Sequence, residues 1–188
     1  MSFSMEVPRF VIDHSWQYSK RVKMGNRNDG SDGTAEQQLV GVIGQNMINL
    51  TLGKPLLQND TGFDGGFDFE VFGMRFDVKT MGRTTDPQPN FVNNLLRSQI
   101  KFCCDAYLFA SFNKKTLNLT FCGWIPKESF MYHAKLYEKD AIRERFDGTT
   151  FQLKADTFEI KNHQLRGTAT SWPELIVEWH KFVDDSFL

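Results

Sequence analysis

Long hydrophobic runs are missing from this sequence. No stretch approaches the roughly 20 apolar residues that a membrane-crossing helix needs, and the first residues form no continuous apolar segment of the secretory kind. The chain therefore reads as soluble and intracellular, in the cytoplasm or, if phage-encoded, in the host cytoplasm. Cysteine is scarce. Cys103, Cys104 and Cys122 are odd in number and two are adjacent, which argues against a disulfide framework. His14, His133, His163 and His180 are scattered, and no CxxC or HxxxH spacing offers a zinc site. The thiols are expected to be reduced and packed as small apolar groups. An excess of charge of either sign is also lacking. The formal net charge is −1, so the overall basic footprint of many nucleic-acid binders is absent. Local basic groups remain within that balance: Lys20, Arg21, Lys23 and Arg27 form one, and Arg83, Arg97 and Lys101 another. Neither an internal repeat nor a long low-complexity tract is present.

What the chain has in quantity is apolar bulk. It is 40% hydrophobic and carries 18 Phe in 188 residues, enough for one core, since a chain of this size buries roughly 70% of its unfolded surface. Its length suits a single domain, divided as an arm and loop over 1–33, a core over 34–132, and C-terminal strand and helix additions over 133–188. Phe10-Val11-Ile12 reads as a short strand or an anchor, and residues 25–33 as a loop of Gly, Asn, Asp and Ser. A helix is expected from about Thr34, capped by Asp32 or Thr34, with Glu36, Val40, Ile43 and Met47 on its inward stripe. Gly41 and Gly44 cost helix stability, so a neighbour should pack closely there.

Residues 66–80 read as a β-hairpin turning at Gly73-Met74. A helix is expected over Asn90–Cys104, strands over Ala106–Phe112 and Leu117–Phe121 with Lys114-Lys115 between them, and a short helix over Pro126–Ala134. A late strand over Thr150–Ile160 and an amphipathic helix over Pro173–Phe182 complete the pattern. Trp124, Trp172 and Trp179 are expected in the core, His14 and His133 at the surface. The order predicts an α/β fold, a central mixed β-sheet flanked by helices.

The hairpin concentrates the chemistry. Residues directly opposite each other across an antiparallel pair point to one face. A Gly73-Met74 turn sets Glu70 opposite Asp77 and Asp68 opposite Lys79, so Asp68, Glu70, Asp77 and Lys79 share a face. Carboxylates so close repel one another unless a cation sits among them. A hard ion such as Mg²⁺ takes one or two carboxylates and keeps several waters, and it can polarise a phosphoryl oxygen and acidify a bound water. A neighbouring lysine can orient that water or stabilise developing negative charge. An amphipathic hairpin with one wet face would show the same alternation.

Here the chain resembles the PD-(D/E)xK nuclease superfamily, whose fold is restriction-endonuclease-like. The matching residues are Glu36 in the first helix, Asp68 on the first hairpin strand and Asp77-Val78-Lys79 on the second, followed by Gln99, Lys101 and a strand beginning Asp105-Ala106-Tyr107-Leu108. No proline precedes Asp68, and Asp64 is a rival first ligand. The resemblance implies that Asp68, Asp77, Glu36 and the Val78 carbonyl bind Mg²⁺ (or Mn²⁺), that Lys79 activates or orients the attacking water, and that Gln99 supports the site. Glu70 is either a second-metal ligand or a solvated side chain. Arg83, Arg97, Lys101, Lys20, Arg21 and Lys23 would meet DNA phosphates. The implied activity is hydrolysis of DNA phosphodiester bonds, as an endonuclease leaving a 5′-phosphate, with a homodimer as one way to cut both strands. The alternative is a nuclease-fold accessory factor, of a phage or mobile element, that binds DNA or protein without turnover.

Overall fold

Hydrophobic alternation determines where strands form, and their pairing decides what each face meets. In a computed structural model the described residues are 2–22, 33–58, 66–145 and 148–186. The loop over 25–32, the alternative cap Asp32, Lys23, Arg27 and Asp64 lie outside them. In chain order the elements are β1 (Phe3–Glu6), α1 (Arg9–Arg21), α2 (Ala35–Thr51), β2 (Phe69–Val71), β3 (Met74–Arg83), β4 (Val92–Leu96), β5 (Ala106–Asn113) and β6 (Asn118–Pro126). Then follow α3 (Lys127–His133), β7 (Lys135–Tyr137), β8 (Ile142–Glu144), β9 (Thr150–Gln152), β10 (Thr157–Lys161) and α4 (Trp172–Ser186).

The strands β1-β6-β5-β3-β2 form one mixed sheet, in which β3 and β5 are parallel and the other pairs antiparallel. This is the α/β class expected. One face carries Phe69, Phe76, Val78, Leu108 and Trp124, and α1, α2 and α4 contribute to the core that covers it. The other carries Asp77, Lys79, Tyr107 and Phe109. Its cover is not a helical layer. It is a second sheet of order β4-β10-β7 together with α3, closing a core of Leu95, Tyr107, Phe109, Phe130, Phe158 and Ile160. Among the described residues no helix is long and apolar enough to cross a membrane.

Thr34 caps α2 as expected: its hydroxyl accepts from Gln37 N–H, and the Gln37 side chain accepts from Thr34 N–H. The two helix glycines then part company. A Cβ on Gly44 would lie 1.8 Å from Thr80 Oγ1 and 2.9 Å from Thr80 Cβ, whereas one on Gly41 would meet nothing within 4 Å. Gly44 is therefore where α2 closes onto β3. Gly41→Ala should stabilise the protein by about 0.5–1 kcal/mol through helix propensity. Gly44→Ala should destabilise it by about 1–3 kcal/mol through overpacking. Paired urea denaturation curves check this, and equal signs for the two variants would refute the contact.

Several local expectations are corrected. Phe10-Val11-Ile12 lies within α1, although Val11 is fully buried and does anchor that helix, and β1 precedes it. The segment Asn90–Cys104 is not a helix but β4 followed by a 3-10 turn at Arg97–Gln99. Its apolar residues recur at helical spacing and do not alternate. Asn93 and Leu95 are buried while Val92, Asn94 and Leu96 are less so, and antiparallel pairing with β10 decides for the strand. The late strand divides into β9 and β10, which belong to different sheets. The hairpin turns at Phe72-Gly73, not Gly73-Met74, with positive φ at both residues (52° and 74°), as a two-residue type I′ turn requires. Trp124 and Trp179 are core residues, Trp172 packs against them part-buried, His133 is exposed, and His14 is half-buried with Nε2 2.8 Å from Leu57 O.

Candidate active site

The shifted turn changes which residues face each other but not which face they share. Glu70 lies opposite Arg75, and Phe69 opposite Phe76. Asp68 is thus not paired with Lys79, nor Glu70 with Asp77. Moving the turn by one residue displaces the pairing by two positions, and the period of two preserves the faces. Asp68 sits just before β2 begins. Its N–H donates to Phe76 O at 2.8 Å, and its carboxylate accepts the Val78 N–H at 2.5 Å. That amide joins Asp77 to Val78, so Asp68 lies one peptide unit from Asp77. Gly66, just before it, is packed on the segment after β4: an added Cβ would come within 3.2 Å of Cys103 N and 3.3 Å of Phe102 Cβ.

Asp77 is 6% exposed and holds Lys79 at 2.8 Å, Nζ to Oδ1. A mostly buried carboxylate needs such a partner, because an isolated charge loses its hydration. Tyr107 is the register partner of Asp77 on β5. Burial, with the Asp77 charge adding to it, pushes both the Cys104 thiol and the Tyr107 hydroxyl up from their ordinary values. Reading the sequence assigned Tyr107 and Cys104 only to strand or core. The parallel β3–β5 register that sets Tyr107 beside Asp77 is a long-range pairing, and no local pattern announces it.

The remaining predicted residues are distributed elsewhere. Glu36 is exposed in the first turn of α2, not on an inward stripe, and pairs with Lys114 at 2.7 Å. Lys114 N–H in turn donates to Arg83 O. Glu36 is thus level with the end of β3, six residues beyond Asp77, or about 20 Å at roughly 3.3 Å per strand residue. Its helix overlies the opposite face of the sheet, so the structure does not bring Glu36 to Asp77. Glu70 is exposed, opposite Arg75, whose guanidinium makes a bidentate pair with Asp105 and holds that carboxyl below its usual range. Gln99 lies in the 3-10 turn, where its carbonyl accepts from Phe102 N–H. Arg97 is exposed and paired with Asp156, and Lys101 is exposed near the Phe102 ring. Lys20 covers the Trp16 ring, and Arg21 ends α1, whose Tyr18, with Val22 just beyond it, packs on Val42 of α2, so both lie in the outer helical layer. Arg83 shares the face of Asp77 but is largely withdrawn from the surface, stacked on Phe91 and bonded to Val92 O.

The donor set can be tested against a metal ion. Among the described residues no three His, Cys, Asp or Glu side chains stand close enough to form a ligand cage, as a structural zinc or a full calcium site would require. Asp68, Asp77 and the Val78 carbonyl are a smaller set. In an antiparallel ladder a residue's N–H and C=O leave a strand on the same side, so the Val78 carbonyl faces the edge that Asp68 occupies. One or two carboxylates with water and substrate oxygens is the set that Mg²⁺ ordinarily accepts, and these residues fit it. Compared with protein-family models, curated proteins and solved structures, the chain matches none.

Proposed function

We propose that this protein is a divalent-metal-dependent nuclease that hydrolyses DNA phosphodiester bonds within a strand, on a restriction-endonuclease-like variant of the α/β fold. One observation carries the reading: the carboxylate of Asp68 is bonded to the amide between Asp77 and Val78, and Lys79 stands 2.8 Å from Asp77. Three side chains with the chemistry of phosphodiester hydrolysis thus converge on three consecutive residues of β3. Asp68, Asp77 and the Val78 carbonyl would hold Mg²⁺ or Mn²⁺, which when bound supplies Lewis acidity toward a phosphoryl oxygen and acidifies a water. Asp77 orients Lys79, and the Lys79 ammonium faces the charge that develops on the phosphoryl oxygens. A water oxygen bonds to phosphorus as the P–O3′ bond breaks, leaving a 5′-phosphate. Lys101, exposed beside Phe102, would meet a neighbouring phosphate.

A second reading has its own support. Asp77 is nearly inaccessible, its face lies under a second sheet, and Glu36 stands apart. A nuclease-fold protein that binds DNA or protein without turnover would show the same features. Incubation with supercoiled, linear and branched DNA, with Mg²⁺, Mn²⁺ or EDTA, separates the two. The nuclease cuts only with metal. Retention of DNA on a gel without cutting in any metal would favour the binding protein.

A further inference from the structure

The approach to the candidate site is formed by the segment that leads from the 3-10 turn into β5, and three contacts fix its place. Lys127 Nζ donates to Phe102 O at 2.6 Å, Asp105 N–H donates to Arg75 O at 2.8 Å, and Phe102 and Cys103 pack on Gly66, two residues before Asp68. Arg75 stands two residues before Asp77 on β3. Residues 102–104 therefore border the end of the strand at which Asp68 and Asp77 lie, and the Cys104 thiol feels the charges of both Asp77 and Lys79.

Within this segment the side chains divide. Cys104 is buried, Phe102 is half-buried, and Lys101 and Cys103 are exposed. Lys101 Nζ lies 5.9 Å from the centroid of the Phe102 ring. The neighbouring cations are taken up by the protein itself: Lys79 by Asp77, Arg75 by Asp105 and Arg97 by Asp156. Among the described residues Lys101 has no ion pair, so its charge is open to a ligand. A half-open aromatic ring beside a free ammonium is the pairing that holds an unpaired nucleic-acid strand, the ring stacking on a base and the cation meeting a phosphate. The depth of the site points the same way. Asp77 is 6% exposed, the Lys79 side chain 18%, and a second sheet lies over their face. Duplex DNA is stiff, with a persistence length of about 50 nm, whereas a single strand bends at every nucleotide and can lower one phosphodiester into a recess.

We propose that the candidate site acts on single-stranded DNA, with Phe102 stacking on a base and Lys101 holding a phosphate next to the scissile one. The hydrogen bond from Lys127 to Phe102 O keeps the backbone under that ring in place before the strand arrives, which lowers the ordering cost of binding. The chemistry rests on the nuclease reading, and the form of the substrate goes beyond it. Phe102 and Lys101 are positioning residues and take no part in bond cleavage.

The test is fluorescence anisotropy of the full chain with a labelled mixed-sequence DNA strand, and with the same strand annealed to its complement, in EDTA so that no metal-dependent cutting intervenes. The single strand should bind more tightly than the duplex. Phe102→Leu keeps the apolar bulk but has no π-face, and it should weaken that binding roughly tenfold, the loss of one base–aromatic stack. Phe102→Tyr should retain it, a distinction that a merely structural phenylalanine would not make. Lys101→Ala, an exposed change, should weaken binding and reduce the slope of log K against log salt by about 0.7, as the loss of one phosphate contact on a single strand does. No binding, a duplex bound as tightly as the strand, or undiminished binding by Phe102→Leu overturns the proposal. Cleavage of the same two substrates with Mg²⁺ keeps the two readings apart. Strand-selective binding without cutting defeats the nuclease reading alone, and duplex cut as fast as single strand defeats the substrate assignment alone.

Discussion

Lys79→Ala is expected to abolish metal-dependent DNA cleavage, lowering the rate by at least about 10²-fold, the loss typical when a preorganised charge-stabilising donor is removed. The same substitution should destabilise the fold. Asp77 is mostly buried with the Lys79 ammonium 2.8 Å from its carboxylate. Without it the Asp77 carboxylate loses its closest cation, at a cost of up to the roughly 3–5 kcal/mol seen when one partner of a buried pair is removed. The two effects can be separated. Asp77→Asn combined with Lys79→Met removes both charges, so it should remain inactive while recovering much of the lost stability, as a coupled pair does in a double-mutant cycle. Cleavage assays and urea denaturation on the single and double variants supply both readings. Cleavage by Lys79→Ala at the wild-type rate would end the nuclease assignment as drawn on this strand.

Trp179→Ala should be among the most destabilising single changes, at about 3–5 kcal/mol for a fully buried tryptophan. Trp179 projects from α4 onto Phe76 at 4.5 Å and Phe69 at 5.7 Å between ring centroids, and it meets Trp172 edge-on at 5.6 Å. Phe69 and Phe76 are the stacked cross-strand pair behind the hairpin, 4.9 Å apart. The helix at the end of the chain therefore braces the strands that carry Asp68 and Asp77 from the opposite face. Loss of cleavage should accompany loss of stability, and Trp179→Phe should restore most of both. A cost below about 1 kcal/mol in Trp179→Ala would show that the hairpin does not depend on α4.

Local reading succeeded where one signal had no competitor. The strand over 106–112 and the terminal amphipathic helix each rest on one dominant pattern, an apolar run or a 3.6-residue stripe. It failed over 90–104, because Leu95, Leu96 and Ile100 recur at helical spacing while the strand buries Asn93 beside Leu95, and pairing with β10, some 60 residues later, settled the matter. It misplaced the hairpin turn by one residue because Gly73 suits either position of a two-residue turn. Positive φ at Phe72 is a conformation that residue type seldom adopts.

The candidate site divides along the same line. Asp68, Asp77 and Lys79 were legible because their spacing along a hairpin imposes a shared side whatever the turn, the side-chain period of a strand being two. Glu36 was not, since sharing a stripe with Val40 and Ile43 does not fix how far along the sheet the helix begins. The close approach of Gly44 to Thr80 sets that position, and it carries Glu36 past the end of β3 to Lys114. The sequence by itself determined the α/β class, most of the elements and the face on which the acidic and basic groups stand, because these follow from periodicity and chain stereochemistry. Only the tertiary structure decided that Tyr107 lies beside Asp77, that a second sheet covers that face, and that Arg83 is drawn in against Phe91. Each depends on contacts between separate segments of the chain, which no local pattern encodes.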